Sequence, residues 1–394
     1  MNPINVRYQL YNRKIIIFGA GRIGRSFIGQ LFSRSGYDIV FIDINPQLID
    51  ALNRIRKYKV VVKSDLMEEV LSIETVRAVS LADRDKVIYE IATGGIAALS
   101  VGQQGMPATL PLIAEALQKR KDEMGMVPLD FIICENMRNA DQYISTELRK
   151  LLPENYPFDQ LVGLVETSIG KMVPIMTQRD MEEDPLQIFA EPYNTLIVSK
   201  DGFRNPIPGV LNMEPKENMK AWVDRKLFIH NLGHSTAAYL GFQKHPEAVK
   251  MHEVLSDPEI LESTRKTMLQ SAEILMRLYP DEFTINHLTL HIDDLLSRFR
   301  NKALGDTVFR VGCDLYRKLG PEDRLAAPIS VALKLNRPYD MIMKALKAAV
   351  VFRAKDENGQ YFPADEEFFR KADSGIEYVL REVCKLEISY SYFQ

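Results

Sequence analysis

Cysteine is scarce in this chain: three in 394 residues, Cys134, Cys313 and Cys384. They are too few and too widely spaced for a disulfide framework or a cysteine-based metal site. No apolar run approaches the length of a membrane span, and the N-terminus, Met1-Asn-Pro-Ile-Asn-Val-Arg-Tyr, lacks the hydrophobic segment of a signal peptide. A soluble, cytoplasmic protein with no membrane partner is expected. Charge of one sign is not in excess either. The formal net charge is −3, which gives no case for bulk nucleic-acid binding but leaves room for local basic patches. Internal repeats and low-complexity stretches are absent. What remains is an ordinary globular composition, 46% hydrophobic and 26% charged, in a chain long enough to favour two domains over one small core.

The most informative stretch is Lys14-Ile-Ile-Ile-Phe-Gly-Ala-Gly-Arg-Ile-Gly24. The short apolar run predicts a central parallel strand buried on both faces. Gly19, Gly21 and Gly24 follow with G-x-G-x-x-G spacing: one glycine for the tight turn, one for close approach of a pyrophosphate, one for helix–strand packing. The residues after Gly24 predict a helix whose N-terminus would hold the phosphates. A second strand, beginning at Asp38, ends at Asp43, 19 residues beyond Gly24, where a dinucleotide-binding fold carries its ribose-binding acid. A lone glycine fingerprint is a weak signal; strand, glycines, helix, strand and acid in that order make a strong one. The expected cofactor is NAD rather than NADP, because a carboxylate at Asp43 accepts from ribose hydroxyls and repels a 2′-phosphate. Gly19, Ala20, Gly21, Arg22, Ile23, Gly24 and Asp43 are the candidate cofactor residues.

Strand and helix patterns alternate through the first half, which predicts a doubly wound α/β sheet of Rossmann type. Val101-Gly102 and Glu135-Asn136 follow strands and should lie at the sheet's carboxyl edge, where ligands bind; Val101 and Gly102 are added to the cofactor set. Beyond about residue 215 the patterns are largely helical, including 219–241, 245–255 and 258–278. The expected division is 1–195 for the nucleotide-binding domain and 196–394 for a mainly α-helical domain that binds substrate.

The helix expected over 219–241 has polar groups where a core stripe might run. On an α-helical wheel Lys226, His230, His234 and Asn231 fall at roughly 0°, 40°, 80° and 140°, so one face carries a lysine, an amide and two imidazoles. Gly233 lies beside Lys226 and removes bulk, so that something could approach closely. The set suits alcohol oxidation: a lysine of lowered pKa takes the hydroxyl proton, an amide holds the oxygen as charge develops, and an imidazole binds a neighbouring hydroxyl. The alternatives are a solvated surface lysine, or a metal held by His230 and His234 at i, i+4. The glutamate of the metalloprotease helix is missing, since Asn231 follows His230, and no metal is expected. His287 and His291 repeat the spacing and are taken as surface or packing histidines.

Lys226, Asn231 and His234 match the K-x4-N-x2-H signature, and through them the chain resembles the polyol-specific long-chain dehydrogenases, the mannitol dehydrogenase family, over nearly its whole length. Phe18-Gly-Ala-Gly-Arg-Ile-Gly, Cys134-Glu-Asn-Met, Asp184-Pro-Leu, Glu191-Pro, Arg317-Lys-Leu, Asp323-Arg-Leu and Phe352-Arg are further matches. The resemblance implies that Lys226 is the general base, that Asn136 and Asn231 form an amide pair on the reacting oxygen, and that His234 binds substrate. It also implies that Arg310 and Lys318 are basic substrate contacts. The implied reaction interconverts mannitol 1-phosphate and fructose 6-phosphate. Alternatives are a hexuronate (tagaturonate or fructuronate) reductase or mannitol 2-dehydrogenase, since a carboxylate satisfies basic contacts nearly as well as a phosphate. From another class, a non-catalytic NAD-responsive binding protein is disfavoured by the intact lysine–asparagine–histidine set. Partners are then a small anionic sugar or polyol, and the chain is a monomer or small homo-oligomer. Two departures stand out. Gly170 and Lys171 replace the family's usual acid and arginine, removing a possible hydroxyl contact and a planar donor fork. His230 stands where the family is usually apolar, either as a polar substrate contact or packed with one nitrogen bonded. About ten extra residues before the first strand suggest a flexible arm.

Overall fold

Ile15, Ile16, Ile17 and Phe18 are fully buried, as a strand covered on both faces requires. They end β1 (Tyr11–Phe18), the centre of the sheet in a computed structural model that describes residues 9–137 and 139–388. The arm expected before β1 lies mostly outside the described residues. The other strands are β2 (Asp38–Asp43), β3 (Lys57–Lys63), β4 (Glu68–Glu74), β5 (Val76–Ser80), β6 (Gly94–Leu99), β7 (Leu129–Ile133), β8 (Val162–Ser168), β9 (Ile188–Ala190), β10 (Leu196–Ser199) and β11 (Met213–Lys216). Eight of them form one sheet in the order β11-β10-β8-β7-β6-β1-β2-β5. It is parallel except at β8–β10. The order runs outward in both directions from the β1–β6 pair, which puts the loops after β1 and β6 side by side at a topological switch point.

The two faces of the sheet bury separate apolar clusters. Ile16, Phe18, Val40, Ala97 and Phe131 point to one; Ile15, Ile17, Ile39, Phe41 and Ile132 point to the other. Strands that alternate side chains between two covered faces read as unbroken apolar runs. β3 does not join this sheet. It pairs with β4 and β9 in a second, three-stranded sheet packed on the second cluster through Tyr58, Val60, Ile188 and Ala190.

The chain divides after Met219, not at the expected 195. The reason is β10 and β11: Ile197 pairs with Ser168 of β8, and Leu196 with Met213, so the sheet's last two strands lie beyond the expected boundary. The second unit is helical. Its main elements are a continuous helix over 219–244, and helices Pro258–Leu278, Ile285–Phe299, Ala326–Lys334 and Asp340–Val350. The helix expected over 245–255 is only a turn at Met251–Val254. The fold is thus a mostly parallel Rossmann-like sheet followed by a helical domain, as the sequence patterns imply.

Candidate active site

In the first unit, Gly19 has a φ of +88°, a backbone conformation that L side chains rarely adopt. A Cβ at Gly24 would collide with the carbonyl of Gly19, whereas one at Gly21 would meet nothing within 4 Å. This is the backbone geometry that a dinucleotide fingerprint requires, with Gly21 facing open space. Arg22 is exposed beside it, Ile23 is half-buried and Ala20 is buried. These residues start the helix over 22–34, which carries a π-helical stretch at Gly24–Gly29. Asp43 supports the loop directly: one carboxylate oxygen accepts from the Ala20 N–H at 2.7 Å and the other from the Asn45 N–H at 2.9 Å. Arg25, absent from the sequence-based site, clamps the same loop by donating to the Ala20 and Leu186 carbonyls at 2.7 and 2.9 Å.

After β6, the N–H groups of Val101 and Gly102 donate to Glu135 at 2.8 and 3.0 Å. Those two amides are therefore already partnered, which leaves carbonyls and side-chain surface for any ligand. Burial pushes the Glu135 carboxyl up from the usual carboxylate range. Asn136 is exposed on the loop after β7.

Lys171, one of the two departures from the family pattern, turns inward. Its ammonium donates to the Glu191 and Tyr193 carbonyls and to Asn194 Oδ1, at 2.9, 2.8 and 3.0 Å. It fastens the 191–194 loop. A compact ammonium with three donors suits three acceptors converging on one point.

In the second unit the helix over 219–244 is not α-helical throughout. Lys226–Asn231 is a π-helical segment between α-helical Met219–Arg225 and Leu232–Lys244. This corrects the wheel angles above, because i→i+5 bonding widens the turn by a residue. Lys226 and Asn231 are five apart, so a π turn sets them closer to one face than an α turn would. Gly233 also has a different job from the one expected. A Cβ there would run into the Met268 side chain, so what approaches the helix closely is the helix Pro258–Leu278.

Burial pushes the Lys226 amine down to about 8, with the Arg324 guanidinium contributing. Arg324 is largely buried and bonds Asp323 at 2.8 Å. The same guanidinium also lowers His234 and Lys318. It lay inside a quoted family match, but nothing in its spacing marked it. His234 stacks on Phe299, centroids 4.4 Å apart and planes 6° from parallel. The buried His230 ring packs at 5.5 Å against the same phenylalanine. Burial and surrounding cations push both imidazoles well below the ordinary histidine range, which favours the neutral ring. His291 is lowered likewise, and exposed His287 sits near Trp222, as packing and surface histidines do. Among the described residues no group of three or more histidine, cysteine or acidic side chains is placed to hold a metal ion.

Arg310 and Lys318, the expected anion contacts, are both engaged internally. Arg310 is ion-paired to Asp306. Lys318 is buried, donates to the Val311 and Arg310 carbonyls at 2.8 and 3.3 Å, and is pushed down to about 7 by burial and Arg324.

Among the described residues, no helix is long and apolar enough to cross a membrane. The chain matches the model of the mannitol dehydrogenase Rossmann domain over residues 13–210 and that of the mannitol dehydrogenase C-terminal domain over 218–384. Its structure is similar to a D-sorbitol dehydrogenase crystallised substrate-free (TM-score 0.77, 16% identity, covering 98% of this chain and 91% of the other). It is also similar to Pseudomonas fluorescens mannitol 2-dehydrogenase in a ternary complex with NAD and D-mannitol (TM-score 0.71, 18% identity, covering 96% and 87%). At such identities the likeness concerns the fold, and the two domain matches carry the assignment: the chain belongs to the mannitol dehydrogenase family.

Proposed function

We propose that this chain is an NAD-dependent dehydrogenase that interconverts a polyol and the corresponding ketose, with Lys226 as the general base. The observation that carries the reading is Lys226 itself: a largely buried lysine, lowered to about 8, on a π turn that puts Asn231 one turn away. A lysine of ordinary pKa would be protonated near neutrality and useless as a base; one near 8 is neutral in a useful fraction of molecules. Lys226 removes the carbinol hydroxyl proton, Asn231 donates to the oxygen as charge develops, and neutral His234 accepts or donates a hydrogen bond to an adjacent hydroxyl. NAD, when bound, supplies the hydride acceptor, and the cradle at Gly19–Gly24 with Asp43 beneath it fits a dinucleotide with an unphosphorylated ribose.

Mannitol 1-phosphate and fructose 6-phosphate are the proposed pair, an activity of mannitol-1-phosphate 5-dehydrogenase type. The N-terminal fingerprint and the Cys134-Glu-Asn-Met run support it, as do two basic residues, Arg310 and Lys318, on adjoining short helices. One observation favours a second reading. Arg310 is already paired with Asp306 and Lys318 with backbone carbonyls, which suits an uncharged hexitol such as mannitol. The test is a dehydrogenase assay over free and phosphorylated hexitols, their ketoses and hexuronates, with NAD and NADP. A specificity constant at least tenfold higher for mannitol 1-phosphate than for mannitol supports the first reading, and the reverse supports the second. No turnover of any polyol would overturn both.

A further inference from the structure

Asp306 is almost wholly buried, its side chain 4% exposed, and its two oxygens have different fates. Oδ1 is taken by Arg310. Oδ2 lies 3.5 Å from His234 Nε2, and neither atom has a hydrogen-bond partner or contact with solvent. Two buried polar atoms left unsatisfied side by side are costly, and a small closing movement would turn them into one strong bond. The geometry around them is held on both sides. The His234 ring is stacked on Phe299. The backbone at Asp306 accepts from the Met251 N–H at 3.0 Å, and Val308 N–H donates to the Val249 carbonyl at 2.9 Å.

We infer that Asp306 is a positioning residue for His234: its Oδ2 accepts the Nε2 proton and so fixes the tautomer and the aim of the imidazole, while Arg310 holds its other oxygen. The inference rests on the reading of His234 as the substrate-binding histidine. The His234 side chain keeps 14% of its surface exposed although Nε2 is sealed off, so the nitrogen that can meet a substrate is Nδ1. With the ring neutral and its single proton on Nε2, Nδ1 carries a lone pair and accepts from a substrate hydroxyl.

The test uses the full-length chain and has two independent readouts. Nitrogen-15 NMR of histidine-labelled protein, with His234 assigned by its loss in His234→Gln, should show the proton on Nε2. Asp306→Asn should redistribute that proton between the two nitrogens. Kinetically, Asp306→Asn should lower kcat/KM for the best polyol by about 10- to 100-fold, the scale of one hydrogen bond to a charged acceptor. It should have less than about a twofold effect when His234 is already alanine, since coupled residues are non-additive. Asp306→Glu, which keeps an acceptor, should recover part of the loss. A proton found on Nδ1 in the parent protein, or an equal loss from Asp306→Asn in both backgrounds, would overturn the inference and leave Asp306 a structural anchor for Arg310. Absence of polyol turnover in the parent would sink the functional reading alone, because the tautomer readout needs no turnover.

Discussion

Replacing Arg324 by glutamine should move the pH dependence of alcohol oxidation in a direction and within a bound that the structure sets. Lys226 falls from 10.5 to about 8 for two reasons, burial first and Arg324 second. Burial is the larger cause, so removing the guanidinium returns the smaller part of that fall, and the Lys226 pKa rises by about one unit or less. Only the neutral amine can take the proton, so oxidation falls tenfold for each pH unit below that pKa. In the parent, kcat/KM should rise with pH through a midpoint near 8. In Arg324→Gln the midpoint should lie between about 8 and 9, and the rate at pH 7 should fall by no more than about tenfold. The alkaline plateau should be nearly unchanged, because an amine of higher pKa is no weaker a base once deprotonated. The assay is initial-rate NAD reduction from pH 6 to 10.5, with circular dichroism to confirm folding. A midpoint that stays put or moves down would refute the electrostatic link between Arg324 and Lys226. A plateau reduced by orders of magnitude would show that Arg324 touches the reacting atoms instead.

Asp43→Ala removes both the carboxylate proposed to meet the ribose and the acceptor of the Ala20 N–H. The Michaelis constant for NAD should rise and the preference for NAD over NADP should shrink, as measured by the ratio of specificity constants; an unchanged ratio would place cofactor choice elsewhere. Gly233→Ala should destabilise the protein by about 1–3 kcal/mol through collision with Met268, and Met268→Ala in the same chain should relieve much of that cost in urea unfolding; simple additivity of the two would contradict it. Arg310→Ala should raise the Michaelis constant for a phosphorylated substrate by a factor equivalent to about 1 kcal/mol or less, since its side chain is 51% exposed. Buried Lys318→Ala should cost more, toward about 2–5 kcal/mol, if that ammonium meets the anion. Equal effects of both variants on free and phosphorylated hexitols would remove the phosphate from the account.

Much of the first unit was legible in the sequence because its signals are local. Four consecutive apolar residues and three spaced glycines can be satisfied in few ways, and Asp43 follows from the length of one βαβ turn. The domain boundary was not legible, since β10 and β11 are short and belong to the sheet only by pairing with β8 and each other, a non-local fact. The separation of β3 from the main sheet escaped for the same reason. On the helix over 219–244, residue types pointed to the chemistry, but a 100° wheel cannot represent a π turn. The π turn narrows the angle between Lys226 and Asn231, which no α periodicity reveals. Arg324 and Asp306 went unnoticed because each acts on a residue distant in sequence. Lys171 is a parallel case: as a substitution in a family motif it suggested an altered substrate contact, whereas its three acceptors lie some twenty residues away on a loop.

The most direct test of the central claim compares turnover with cofactor affinity in Lys226→Ala. The glycine cradle proposed for NAD lies in the first unit and the lysine in the second, so NAD binding, followed by fluorescence or calorimetry, should stay within a few-fold of the parent. Turnover of the best polyol should fall by several orders of magnitude, and the rise in rate through pH 8 should disappear. A loss in turnover smaller than about tenfold, equivalent to about 1.4 kcal/mol of barrier, with the same rise through pH 8 retained, would contradict the assignment of Lys226 as the base.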